Sequence, residues 1–299
     1  METAFSYLVM ARQCEIAELN QLARTCELVD AVCVFVHQLQ QERGISNLYL
    51  GVSDRRFSQI WEQQLTQTDQ AHTQVVQGLS SFTPASYQLG DCRLYARIAC
   101  ALHVLENLND LRRQVRTHQC STETATAYFN QVIGRLLSLV FEAADSAVDP
   151  LISRQLVALF NLMQGKEFVG QERALGAAAF AAEKMSHNLA QTLTYLMDLQ
   201  EQCFICFESF ADEATLAIWQ KLQNTPQMVS IERLRRKLLT INGKISVQYC
   251  EEWFNACSER MDELHQAEHH LAGLLGQTCH TQVAQREQEL EDHQALLRA

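Results

Sequence analysis

The chain has 299 residues with only 3 Pro and 11 Gly, where average usage would give about 15 and 21; a turn-rich all-β fold is excluded on that ground. Its formal net charge is −11, from 35 acidic and 24 basic residues, which argues against a polyanion-binding surface or an anionic membrane as partner, because both need basic patches. The basic residues are 19 Arg against 5 Lys, and no Lys precedes Lys166.

Helical periodicity dominates in chain order. Between Phe5 and Leu50 the residues Leu22, Cys26, Val29, Cys33, Val36 and Leu39 recur at steps of three and four, a core-facing helix stripe. Pro84 marks a break. From Tyr95 to Val115 the spacing predicts one face built from Ile98, Leu102, Leu105, Leu108 and Leu111. Ser121-Thr122-Glu123-Thr124 reads as a helix start with an acidic first turn, and Pro150 ends the break that follows. Further helices are expected from Leu151 through the segment holding Arg173, from Leu189 to Phe210, from Ile231 to Ile241, and in a last long stretch with Trp253 and Leu264, with a break at Pro226. The expectation is an all-α chain of about eight helices in two packed four-helix bundles. Val283, Leu290 and Leu297 repeat every seven residues, which fits either a frayed solvated helix or a connector able to pair with its copy in a homodimer. No run of 18 apolar residues exists to span a membrane, the start lacks a secretory pattern, and the eleven Cys are read as reduced, small apolar residues of a cytoplasmic protein.

Tests for chemistry give little. The Glu-x-x-His pairs of a di-iron bundle are absent. His265, His269 and His270 have zinc-compatible spacing, but Glu263 and Glu268 around them read as a solvated face. Cys203 and Cys206 lie in an apolar helical run and read as core packing. No phosphate loop, nucleophile elbow or dinucleotide fingerprint is present, so an enzyme is not expected, nor a metal or cofactor.

The arginines carry the most information. Gln41-Glu42-Arg43-Gly44 is echoed by Gln171-Glu172-Arg173-Ala174. On a helix Arg43 shares its face with Val36, Leu39 and Ser46, Arg173 shares its face with Val169, Gly176 and Phe180, and Arg235 shares its face with Ile231, Leu238 and Leu239. A guanidinium turned inward must meet a carboxylate, such as Glu42, Glu167 or Glu172, or a bound anion. Both readings stand on the sequence: an anion site, or a helical scaffold and interaction protein whose arginines are all internally paired.

The segment Val36 to Leu50, then Leu111-Arg112-Arg113-Gln114-Val115, Tyr128, Leu136 to Val140, Lys166-Glu167-x-x-Gly170-x-Glu172-Arg173-Ala174, Phe207, Phe210 and Ile231-Glu232-x-Leu234-Arg235 resembles, in order, the nitrate- and nitrite-sensing (NIT) family of bacterial signalling proteins. The resemblance implies two four-helix bundles, a nitrate or nitrite ligand, and an attached or separate output module controlling nitrate assimilation. By motif it puts Arg43 and Arg235 at the positions that grip the anion and Arg173 at a further family arginine. Gly44 and Ser46 are candidates for close backbone approach and a hydroxyl donor. Residues 1–280 would be the sensor and 281–299 a connector helix, with no output module following, so that a separate regulatory protein is expected and direct nucleic-acid binding by this chain is not.

Overall fold

The computed structural model describes residues 4–51, 55–80, 82, 92–240 and 245–298; Pro84 and the side chain of Leu297 lie outside the described part. Ten α-helices and no strand occur among the described residues: α1 Ala4–Gly51, α2 Arg55–Leu79, α3 Cys92–Leu105, α4 Leu108–Arg116, α5 Thr122–Ser146, α6 Pro150–Ala181, α7 His187–Phe210, α8 Glu213–Leu222, α9 Pro226–Leu239 and α10 Cys250–Arg298. The helix starts follow the local chemistry. Ser121, Asp149, Ser186 and Asp212 each accept hydrogen bonds from the first-turn amides of α5, α6, α7 and α8, worth about 1 kcal/mol apiece. Pro150 and Pro226 occupy the first turns of α6 and α9, where a missing N–H costs nothing.

Two four-helix groups result. One is α1, α2, the broken pair α3–α4, and α5; the other is α6, α7, the broken pair α8–α9, and α10. Counting each broken pair as one position accounts for the difference between ten helices and eight. The stretch expected as a single helix from Tyr95 to Val115 is interrupted between α3 and α4; Ile98, Leu105, Leu108 and Leu111 are buried, whereas Leu102, within α3, is 38% exposed. The stripe Leu22, Cys26, Val29, Cys33, Val36, Leu39 is buried throughout.

The groups join because α1 packs on α10 as well as on α2 and α5, and α5 packs on α6. Between them the Cys33 thiol meets Met163 Sδ at 3.3 Å. Toward the chain ends, Cys26 Sγ lies 3.4 Å from Cys279 Sγ, and Arg12 reaches Glu289 at 3.6 Å. The second half of α10 therefore has an antiparallel partner within the chain, the first half of α1. Helix α10 runs without a break across residue 281.

Because α1 and α6 are wrapped by neighbours, their middle segments are buried at nearly every position. Leu39, Gln40, Glu42, Arg43 and Gly44 are buried in α1, and Lys166, Glu167, Val169, Gly170, Glu172 and Arg173 in α6. One close approach depends on a glycine: a Cβ at Gly176 would fall inside the indole of Trp253, whose Nε1 donates to the Arg173 carbonyl at 3.0 Å. Gly176→Ala is expected to destabilise the fold by about 1–3 kcal/mol, the usual cost of overpacking, read as a lower midpoint in thermal denaturation. Among the described residues no helix is long and apolar enough to cross a membrane.

Candidate functional site

The two Glu-Arg dipeptides sit at matching heights on α1 and α6, offset by 130 residues. In each half the Glu is held by an Arg from the broken third helix of its own group. Arg112 donates from Nε and Nη2 to the two oxygens of Glu42 at 2.9 and 2.8 Å; Arg235 donates from Nε and Nη2 to those of Glu172, both at 2.7 Å. Asp69 adds a bond to Arg112 at 2.6 Å. In the other half Gln200 bonds both Glu172, at 2.7 Å, and Arg235, at 2.9 Å. Burial opposes the charge of Arg235, but the hydrogen bonds and charge of Glu172, aided by Glu232, outweigh it and hold the guanidinium above its ordinary value. The same balance holds for Arg112 with Glu42 and Asp69.

The Arg of each dipeptide points the other way, across the α1–α6 junction. A Cβ on Gly44 would stand 2.6 Å from Arg173 Nη2, and a Cβ on Gly170 would strike Arg43 Nη2. Each guanidinium thus lies against a glycine on the opposite helix, and the two cations feel one another. Their partners differ. Arg43 is 1% exposed; its Nη1 donates to Glu167 Oε1 and to Asn130 Oδ1, both at 2.5 Å, and its Nη2 to Glu167 Oε2 at 3.2 Å. Its Nε is buried with no hydrogen-bond partner among the described residues. Arg173 is 4% exposed, donates to Ser258 Oγ at 2.8 Å and to the Gln40 carbonyl at 3.0 Å, and lies 4.8 Å above the Phe254 ring. Among the described residues it makes no ion pair. Burial first, and then the Arg43 cation, draw Arg173 down to about 10, which still leaves it charged at neutral pH.

Of the residues expected at a site, the structure brings Arg43, Arg173 and Gly44 together. Arg235 stands apart, its fork filled by Glu172, Glu232 and Gln200. Ser46 faces α2, where its hydroxyl accepts the Trp61 Nε1–H at 2.9 Å. Internal pairing therefore describes Arg43 and Arg235 and fails at Arg173. Arg112 is a clamp that the sequence signals only by spacing, since Leu108, Leu111, Arg112 and Val115 match Ile231, Leu234, Arg235 and Leu238. The face around His265 is not solvated as expected. Glu268 is fully buried against the Lys166 ammonium, and His265, which hydrogen-bonds Glu268 at 3.1 Å, stacks on His37 with ring centres 3.8 Å apart. Cys203 is pushed up to about 11 by burial and by Cys206, the opposite of an activated thiolate.

The family described as nitrate and nitrite sensing matches residues 35–275. The chain belongs to this family. A nitrate regulatory protein of Klebsiella oxytoca is 34% identical over 259 residues, which is 86% of this chain and 64% of that protein, so the chain spans less than two thirds of its relative's length. The solved structure of the NasR transcription antiterminator superposes with a TM-score of 0.84 at 31% identity, covering 98% of this chain and 83% of that one. Both Glu-Arg dipeptides and both clamping arginines fall within the residues matched to the NIT family.

Proposed function

We propose that this NIT chain is a binding protein, not an enzyme, that holds nitrate or nitrite between Arg43 and Arg173 and so regulates genes of nitrate and nitrite assimilation from the cytoplasm. One observation carries the reading: among the described residues, the buried Arg173 guanidinium touches a hydroxyl, a carbonyl and an aromatic face but makes no ion pair. A buried charge without a counter-charge costs several kcal/mol, and a monovalent anion removes that cost. Nitrate is planar, with its charge spread over three oxygens, and a guanidinium offers paired N–H donors in one plane. Forks on α1 and α6 can each take one edge. Charge-assisted bonds of about 1.5–3 kcal/mol each support an affinity near micromolar, about −8 kcal/mol. Arg235 acts one step back, holding Glu172 and with it the helix turn that presents Arg173.

The output runs through α10. Ser258 and Phe254, the side chains that meet Arg173, both lie on α10, which packs on both α1 and α6. An anion that draws Arg43 and Arg173 together shifts the seat of α10 and so the position of its far end, which passes the event to a separate regulatory protein or a paired copy. Titration calorimetry with nitrate and nitrite on a chloride background tests this. One anion per chain is expected, and at about 100 times Kd the fold gains about 2.7 kcal/mol, seen as a higher melting temperature. No heat and no shift with either anion overturns the reading in favour of an internally paired helical scaffold.

A further inference from the structure

The two halves share the Gln-Glu-Arg triplet and an arginine that clamps its Glu, but they differ in what stands across from the second arginine. Six positions before Arg173 stands Glu167; six before Arg43 stands His37. Glu167 reaches across from α6 to cover Arg43. The corresponding reach from α1 to Arg173 would come from residue 37, which is a histidine. Burial first, and then the neighbouring Lys166, His265 and Arg173, hold the His37 imidazole far below its ordinary range, so it is neutral at physiological pH. The Glu167 carboxylate is saturated: besides Arg43 it accepts from Gln40 Nε2 and Gln171 Nε2, each at 2.9 Å. It has no reason to leave when a ligand arrives. Glu172 cancels Arg235 and Lys166 cancels Glu268, while Asp262, which also acts on Arg173 and lies 3.6 Å from His37, is half exposed and screened by solvent. Among the buried groups, two arginines and one carboxylate leave a single positive charge.

We infer that Glu167 is the specificity-determining residue of the anion site, fixing its net charge at one so that it accepts a single monovalent anion and rejects divalent ones, while His37, standing where the other half has a carboxylate, keeps Arg173 open. This rests on the reading of the arginine pair as the nitrate site. Sulfate, with oxygens equally suited to guanidinium, would leave one negative charge buried without a partner, which the interior does not tolerate. Planar forks then discriminate among monovalent anions by shape, and Glu167 discriminates by valence.

Calorimetry with sodium nitrate and sodium sulfate at matched ionic strength tests the assignment on the full chain. Wild type is expected to prefer nitrate over sulfate by at least a hundredfold, and Glu167→Gln, which keeps the shape and removes the charge, to cut that preference at least tenfold. His37→Glu supplies the missing carboxylate and is expected to weaken nitrate binding at least tenfold. The double variant His37→Glu, Glu167→Gln moves the carboxylate from one half to the other and should restore nitrate affinity to within about threefold of wild type. If His37→Glu loses its cooperative melting transition, the Glu167→Gln selectivity decides alone. Glu167→Gln that binds nitrate with unchanged selectivity overturns the inference and leaves the nitrate site standing; wild type that binds no nitrate overturns both.

Discussion

Arg173→Met is expected to abolish nitrate binding, weakening it at least a hundredfold, while leaving the ligand-free protein as stable as wild type or more so. The first half follows from the two N–H donors and the charge that Arg173 brings. At about 1.5–3 kcal/mol for each charge-assisted bond, losing two amounts to about 3–6 kcal/mol, or two to four powers of ten in Kd. The second half follows from what Arg173 lacks. It is a buried cation with no carboxylate partner among the described residues, and replacing such a charge by an apolar side chain of similar length removes a desolvation cost. Arg235→Met should behave in the opposite way. It strips Glu172, which is fully buried, of its guanidinium and leaves only Gln200 as donor; breaking a buried pair on one side costs about 3 kcal/mol or more. Thermal melts of the two variants without nitrate therefore move in opposite directions, although both residues are inward arginines on apolar helix faces. Arg173→Lys separates charge from shape: it keeps the cation and loses the fork, and a Kd within threefold of wild type would show that planar geometry does not matter. A melting temperature that falls by more than a few degrees in Arg173→Met would mean that Arg173 has a compensating partner and is not held open for an anion.

The sequence makes the three inward arginines visible because apolar spacing is a local property: helix phase alone shows which side chains turn inward. It cannot show which carboxylate meets which arginine, since the partners lie far apart in the chain, Arg43 with Glu167 and Arg112 with Glu42. The motifs put Arg43 and Arg235 together as anion ligands, whereas the internal duplication gives the two arginines different carboxylate partners, Glu167 and Glu172. Each half uses its third-helix arginine to clamp its own Glu, and each Glu-Arg dipeptide turns its arginine outward toward the other half. The echo Gln41-Glu42-Arg43 and Gln171-Glu172-Arg173 carries that symmetry, and aligning it by its arginines is what exposes His37 opposite Glu167. Asn130 and Ser258, the polar partners of Arg43 and Arg173 on the fourth helices, have no signal in the sequence, being single uncharged residues in helix faces that tolerate either kind. The splitting of the third helix into α3–α4 is likewise hidden, because the buried positions Ile98, Ala101, Leu105, Leu108, Leu111 and Val115 keep steps of three and four straight across the break.

Lys166→Met is expected to be the most destabilising single change in the second group, by about 3–5 kcal/mol, on the order of 10 °C in melting temperature. Lys166 on α6 and Glu268 on α10 are both fully buried and bonded to each other, so the ammonium is the counter-charge of a carboxylate whose other neighbour is the half-buried His265. Removing the ammonium leaves that carboxylate in the interior, with Oε1 already lacking any partner among the described residues. Replacing both, Lys166→Met with Glu268→Leu, substitutes an apolar contact for the pair and should recover most of the loss, since a buried ion pair is worth little against packed hydrocarbon once both members go. The double variant also bears on the anion site. Lys166 adjoins Glu167 in sequence, but its charge is cancelled by Glu268, so the pair contributes nothing to the single positive charge left at Arg43 and Arg173. Nitrate affinity in the double variant should therefore stay within about threefold of wild type, whereas the Lys166→Met single variant, if it remains folded, introduces an unpaired negative charge beside the site and should bind nitrate at least tenfold more weakly. Equal affinity in the single variant and wild type would show that the site does not respond to net charge in its surroundings.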